Sequence, residues 1–232
     1  MTPRRLALFD LDHTLLPLDS DHQWAVYMAQ SGRAGDPALA LRRNEELMNR
    51  YNAGDLTAEQ AAEFMLGLLA AHPPHLLAIW HEDFMQRVIR PAMTQQAIEL
   101  VQQHLAAGDL CALVTATNSF VTAPIARAFG VPTLIATDPE YIDGRYTGKI
   151  AGTPSFKHGK VLRVNDWLAG MGKKISDFDA SYFYSDSLND LPLLEVVTHP
   201  IATNPSTSLL AVAQQRNWPV LNLFSQLTDH TS

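Results

Sequence analysis

The chain has 232 residues and is 47% hydrophobic, enough for one sizeable core or for a core domain with a smaller partner. Its 17 Lys and Arg against 24 Asp and Glu give a net charge of −7 with no long block of one sign, which excludes the basic stripe that nucleic acid or an anionic lipid surface requires. The one cysteine, Cys111 in "LCALV", excludes an internal disulfide and a cysteine-rich zinc site, and reads as a small buried hydrophobe in a protein of the reducing cytoplasm.

The first apolar run, "LALF" (6–9), is short and reads as a buried strand. Asp10 ends it after four residues, too soon for a signal-peptide core, and no later stretch has the length to span a bilayer. Residues 17–89 have a different character, helical throughout without a convincing strand. Within them, Asp36 before Pro37 fits an N-cap with proline at the first helical position, and Thr57 with Gln60 fits a capping box. Trp24, Met28, Met48, Phe64 and Met65 are expected to form the core of this segment or its inner face.

Beyond it, strands and helices alternate. "TQQAIELVQQHLAAG" (94–108) has helical spacing and stops at a glycine, and "LCALVTA" (110–116) reads as a strand. "VTAPIARAFG" (121–130) is helical and "PTLIAT" (132–137) a strand, followed by "YIDGRYTG" (141–148), whose Asp-Gly pair predicts a hairpin turn. "SYFYSD" (181–186), "HPIAT" (199–203) and "PVLNLF" (219–224) read as strands, with helices over "LNDLPLLEVV" (188–197) and "NPSTSLLAVAQQ" (204–215). This order predicts an α/β fold: a doubly wound, mainly parallel sheet built from residues 1–16 and 90–232, with a small all-helical cap, residues 17–89, inserted after the first strand.

In an open parallel sheet, ligands bind beyond the carboxyl ends of the strands. Reactive side chains follow the runs at those ends: Asp10, Asp12 and Thr14 after the first, Thr115 with Ala116 and Thr117 near the end of the second, and Ser185, Asp186, Asn189 and Asp190 after "SYFY". "FKHGK" adds a lysine at the start of a helical pattern, Lys157 or Lys160. Four carboxylates in one partly dry crevice repel each other, and a hard divalent cation relieves this. Oxygen ligands alone point to Mg²⁺ rather than zinc. Mg²⁺ commonly shares its shell with a substrate phosphate, and a threonine hydroxyl, the backbone N–H groups after it and a lysine suit phosphoryl oxygens.

These residues resemble the haloacid dehalogenase superfamily of phosphatases. "FDLDHTL" is similar to its DxDxT signature, "LVTATN" to its second motif, Gly159–Lys160 to its third and "YSDSLNDLPLL" to its fourth, in order across nearly the whole chain. The helical insertion is similar to the cap of the phosphoserine-phosphatase-like branch, subfamily IB. The resemblance implies Mg²⁺-dependent hydrolysis of a small phosphorylated metabolite, with Asp10 as nucleophile forming an aspartyl-phosphate and Asp12 as acid and base. It implies a metal shell from Asp10, Asp12, Asp186 and Asp190, and phosphate contacts from Thr115, Ala116, Lys160 and Asn189. It also implies phosphoserine or histidinol phosphate as candidate substrates, with no nucleic-acid or membrane partner.

Two features depart from the family pattern. The glycine usual before the fourth-motif aspartate is Ser185. Phosphoserine phosphatases read the substrate's amine and carboxylate with a glutamate after the first motif and an arginine in the cap; here the first position is Asp19, and "AEFMLGLLAAH" has no arginine. Arg42, Arg43 and Arg50 are the replacements available. A phosphoryl-transferring mutase and a receiver-type signalling domain use similar groups, but the second aspartate and the long insertion argue against the receiver. His13 is expected to face solvent, and His72, His75 and His81 to serve as ordinary loop and helix residues.

Overall fold

A computed structural model describes residues 4–52, 55 and 57–224. Its strands are β1 (Arg5–Phe9), β2 (Leu110–Asn118), β3 (Thr133–Ile142), β4 (Arg145–Ala151), β5 (Ala180–Ser185), β6 (His199–Thr203) and β7 (Val220–Leu221). They form one sheet in the order β4-β3-β2-β1-β5-β6-β7, parallel except for the antiparallel β3–β4 pair. The chain winds outward from β1 to β2 and β3 on one side, then returns to build β5, β6 and β7 on the other. The switch point therefore lies at the carboxyl end of β1, where an open sheet leaves a crevice.

The alternation of β1 explains the two layers of helix. Ala7 and Phe9 join one hydrophobic cluster with Val101, Ile125 and Phe129, while Leu6 and Leu8 join another with Val164, Leu168 and Leu209. Successive side chains of a strand point to opposite faces, so a continuous apolar run demands cover on both. The first layer contains α6 (Gln95–Ala106) and α7 (Ser119–Phe129). The second contains α8 (His158–Ala169), α9 (Leu191–Leu194) and α10 (Thr207–Arg216).

Between β1 and α6 stand α1 (Ser20–Gln30), α2 (Pro37–Asn52), α3 (Ala58–Ala70) and α4 (Pro74–Phe84), then a π-turn (Met85–Ile89) and α5 (Arg90–Ala92). The capping signals act as their chemistry requires: Asp36 Oδ1 accepts from Leu39 N–H at 2.9 Å, and Thr57 and Gln60 complete a reciprocal capping box. Trp24, Met28 and Phe84 are fully buried in the same cluster as Phe9, so the inserted helices share the core of the sheet. Met65 instead packs with Ala25 and Leu47 in a small cluster of its own. No single helix among the described residues is long and apolar enough to cross a membrane.

Three sequence expectations change. The helix over 188–197 is only a 3₁₀ turn (Leu188–Asp190) followed by the single turn of α9, and Asp190 is buried. Only Val220–Leu221 of 219–224 pairs as strand. The third strand runs past residue 137 without a break, because one ribbon pairs first with β2 and then with β4. Asp143 and Gly144 turn that ribbon with φ of 50° and 78°, the left-handed pair a type I′ hairpin needs.

Candidate active site

The loop after β1 carries the first half of the site. Asp10 is buried, and its backbone N–H donates to the carbonyl of Tyr184 on β5 at 2.9 Å, extending the sheet one residue past β1. The chain then reverses: the N–H groups of Thr14, Leu15 and Leu16 all donate to the Leu11 carbonyl, and His13 takes a φ of 58°. Asn204, at the end of β6, ties this turn down by donating to the carbonyls of His13 and Thr14. His13 itself is exposed.

The turn delivers the Thr14 hydroxyl to two carboxylates. Thr14 Oγ1 lies 3.0 Å from Asp10 Oδ2 and 3.2 Å from Asp186 Oδ1, and accepts from the Asp186 N–H at 3.0 Å. One hydroxyl proton cannot serve both carboxylates. Asp186 is pushed up to about 8, chiefly by burial and then by the charges of Asp10 and Asp190, with Thr14 and Lys160 offsetting part of this. A positive charge between Asp10 and Asp186 would remove that strain.

On its other side, Asp10 meets the lysine. Lys160 is buried; its Nζ donates to Asp10 Oδ1 at 2.8 Å and to Asp190 Oδ2 at 2.7 Å. Burial alone would lower the ammonium's pKa, but the two carboxylates outweigh it and keep the group charged. Lys157 is exposed, with a φ of 50°, at the cap of α8. Gly159 makes the approach of α8 possible: a Cβ there would lie 2.0 Å from the Pro154 carbonyl oxygen. Asp190 is not part of the Asp10–Asp186 pair. It holds Lys160 and accepts from Ser185 Oγ at 2.7 Å, which is what the serine in place of glycine does.

The end of β2 supplies hydroxyls because its ladder is irregular. Val114 pairs with Ile135 but Asn118 with Thr137, so Thr115, Ala116 and Thr117 bulge opposite a single residue of β3. Thr115 is buried, and its Oγ1 accepts from the Thr117 N–H at 3.2 Å. Ala116 is exposed near the carboxyl end of β2, its carbonyl accepting from Thr137 Oγ1. Thr117 Oγ1 donates to Asp12 Oδ2 at 2.7 Å, while Ser20 N–H donates to Asp12 Oδ1 at 2.8 Å. Asp12 is raised to about 7, first by burial and then by Asp19, against the lowering bonds of Ser20 and Thr117. A carboxyl so poised can both give and take a proton near neutrality.

The remaining sequence candidates have other partners or face solvent. Asn189 does not join Lys160: it is exposed, its backbone N–H donates to Ser187 Oγ, and the ammonium is engaged by Asp10 and Asp190. Asp19 caps α1, accepting from His22 N–H at 2.8 Å. Arg42 and Arg43 are exposed on α2, where Arg42 and Arg50 line a surface hollow of about 430 Å³ with Glu45, Glu46, Asn49 and Asp55. Of the histidines near the double proline, His81 is buried, with Nε2 2.9 Å from the Val121 carbonyl.

The oxygen donors present fit Mg²⁺. Among the described residues no three His, Cys, Asp or Glu side chains stand close enough to cage a metal by themselves. Asp10 and Asp186 converge as a pair, which suits an ion that keeps waters and substrate oxygens in its shell.

A sequence profile described as haloacid dehalogenase-like hydrolase matches residues 7–195. The chain belongs to that family. A histidinol-phosphatase of Neisseria meningitidis serogroup C (strain 8013) is 42% identical over 220 residues, covering 94% of this chain and 99% of the relative. A phosphoserine phosphatase of Streptococcus thermophilus is 29% identical over 168 residues, 72% of this chain and 74% of the relative. A crystal structure of a Bordetella pertussis Tohama I protein of unknown function superposes with a TM-score of 0.95 at 74% identity, over 96% of this chain and 100% of that one. A substrate-bound phosphoserine phosphatase shares the fold, with a TM-score of 0.65 at 18% identity over 95% and 93% of the two chains.

The resemblance read from the four motifs thus holds for the haloacid dehalogenase-like family and for its α/β fold with a helical cap. The motifs did not expose the two groups that clamp Asp12. Thr117 lies within the second motif, but its bond to Asp12 depends on the β2 bulge. Ser20 acts through its backbone, which no side-chain pattern reveals.

Proposed function

We propose that this hydrolase is a Mg²⁺-dependent phosphomonoesterase that acts on a small phosphorylated metabolite in the cytoplasm through an aspartyl-phosphate on Asp10. The observation that carries the reading is Asp10 itself: one oxygen faces Lys160, the other faces the Thr14–Asp186 pair, and the proton-poised Asp12 stands two residues on. Asp10 attacks phosphorus as the bond to the ester oxygen breaks, and Asp12 gives its proton to the departing alkoxide. Asp12, now ionised, takes a proton from the water that attacks the acyl-phosphate, so orthophosphate leaves and Asp10 is restored. Lys160, Thr115 and the backbone N–H groups after it offset the charge on the phosphoryl oxygens. Asp10, Asp186 and the Asp12 backbone carbonyl would hold Mg²⁺, which supplies further charge neutralisation when bound. Residues 17–89 act as the cap over the core of residues 1–16 and 90–232, excluding bulk water from the acyl-phosphate.

Histidinol phosphate is the first substrate to test, because the Neisseria relative aligns nearly end to end and carries that activity in its name. Phosphoserine is the second, since no arginine of α2 reaches the interior to meet a carboxylate. Phosphate release over a panel of monoesters is expected to require Mg²⁺, to stop with chelator, and to fall by about 1,000-fold or more in Asp10→Asn. A stable phosphoprotein that never turns over, or normal activity in Asp10→Asn, would overturn the mechanism.

A further inference from the structure

Asp109, His104 and Tyr184 form a chain of hydrogen bonds on the α6 face of the sheet, apart from the groups of the proposed mechanism. Asp109 precedes β2; its Oδ1 accepts from Arg5 Nε at 2.7 Å and its Oδ2 lies 2.7 Å from His104 Nδ1. His104 Nε2 lies 2.8 Å from the Tyr184 hydroxyl. A carboxylate only accepts, so Nδ1 carries a proton, and in the neutral ring Nε2 accepts from the tyrosine. The side chains of Asp109 and His104 are only 3% and 12% exposed, so water competes little for these bonds. The surroundings are otherwise apolar, since Tyr184 belongs to the cluster of Phe9, Val101 and Leu113. Phenylalanine at 184 and leucine at 104 would fill such a layer with no polar group to satisfy. Packing alone does not call for this chain.

The place of Tyr184 in the sheet gives the chain a use. The Tyr184 carbonyl accepts the Asp10 N–H at 2.9 Å. Its ring stacks on Phe9, the residue before Asp10, with centroids 5.2 Å apart and planes 9° from parallel. His104 packs edge to face with the same Phe9 at 5.6 Å. Asp186 stands two residues beyond Tyr184. Tyr184 thus bears on both carboxylates of the Asp10–Asp186 pair: on Asp10 through its carbonyl and its ring, and on Asp186 through the chain.

We infer that Asp109, His104 and Tyr184 are positioning residues that set the spacing of Asp10 and Asp186 from the far side of the sheet, and thereby the affinity for the divalent cation. This rests on the Mg²⁺ reading of that pair. His104 ties Tyr184 to α6 and, through Asp109, to the start of β2, so the ends of β1 and β5 keep one offset. Mg²⁺ is sensitive to such an offset because it demands near-octahedral geometry at short bond lengths. Groups that support metal ligands without touching the ion commonly change affinity by about 10- to 100-fold.

The test is the Kd for Mg²⁺ by titration calorimetry, with Tm in chelator measured on the same proteins. Tyr184→Phe keeps the ring and its stack on Phe9 and removes only the hydroxyl. It and His104→Leu are each expected to raise Kd by about tenfold. Both break one link, so the double variant is expected to lose no more than the larger single loss. His104→Gln, which can still accept from Tyr184 and donate to Asp109, is expected to stay within about threefold of the native Kd. Thr198→Val is the control for general destabilisation: it breaks the bonds to Ser181 at the opposite end of β5, and is expected to lower Tm while leaving Kd within about twofold of native. A native Kd in Tyr184→Phe, single losses that multiply in the double variant, or an equal loss in Thr198→Val would each overturn the proposal. If His104→Leu does not fold, Tyr184→Phe against Thr198→Val decides. A native protein that binds no Mg²⁺ would remove the metal reading and this proposal with it.

Discussion

Asp12 shows how a single carboxyl acquires a chemical role from its surroundings. Burial and the nearby Asp19 lift it to about 7, while Thr117 Oγ1 and the Ser20 N–H hold both of its oxygens in place. As the proposed proton donor to the leaving group it must begin protonated, and a raised pKa keeps that form present below about 7 and loses it above. The expected result is a kcat/KM that falls as pH rises through this value, measured on a monoester with a leaving group of high pKa. A profile flat across that range would show that another group donates the proton. The candidates were visible in the sequence because acidic and hydroxyl residues recur together at the ends of several apolar runs. The clamp on Asp12 was not, since Ser20 acts through its main chain and Thr117 through a bulge that no alternation pattern announces. Ser185 shows the same limit: its departure from the family glycine was visible, but its bond to Asp190 depends on a buried geometry.

At the level of elements, α8 is a lever for Lys160. The helix can begin only because Gly159 lies against the Pro154 carbonyl, whose oxygen would stand 2.0 Å from an added Cβ. The obstacle is backbone, so the helix has to move. Gly159→Ala is expected to cost about 1–3 kcal/mol of stability. A displacement of Lys160 by about 1 Å would lower kcat on the order of 100-fold. Thermal unfolding and steady-state kinetics on one purified variant check both numbers, and a variant with native Tm and kcat would mean that α8 adjusts freely. The caps at Asp36 and Thr57 and the Asp143–Gly144 turn were readable because each is a local chemical instruction. The helix over 188–197 was misread for the opposite reason: its apolar spacing is real, but the burial of Asp190 on Lys160 fixes the first turn in a tight, non-α form.

For the molecule as a whole, the site is a store of unfavourable charge. Asp190, Asp12 and Asp186 are raised to about 6, 7 and 8, chiefly by burial. Folding therefore favours their protonated forms. The stability this contributes is complete below the ordinary carboxyl range and is lost as pH rises through the raised values. Without divalent cation, Tm is expected to fall between about pH 5 and pH 8. The proposed Mg²⁺ binds Asp186 in its ionised form, so its stabilising shift should be larger at the alkaline end of that window. Scanning calorimetry with Mg²⁺ and with chelator measures both slopes, and an equal shift at all pH values would mean that Asp186 is not a ligand.

The place of β1 at the centre of the sheet has a further consequence for how the protein is made. Leu6 pairs with Leu110 on one side and with Ser181 on the other. Asp10 thus leaves the ribosome well before Lys160 and Asp186. Until β5 emerges, the nascent chain presents one bare edge of its most apolar strand, a surface that invites mispairing and calls for chaperone cover. Under the proposed mechanism, a chain cut short before β5 lacks Asp186 and is expected to release no phosphate.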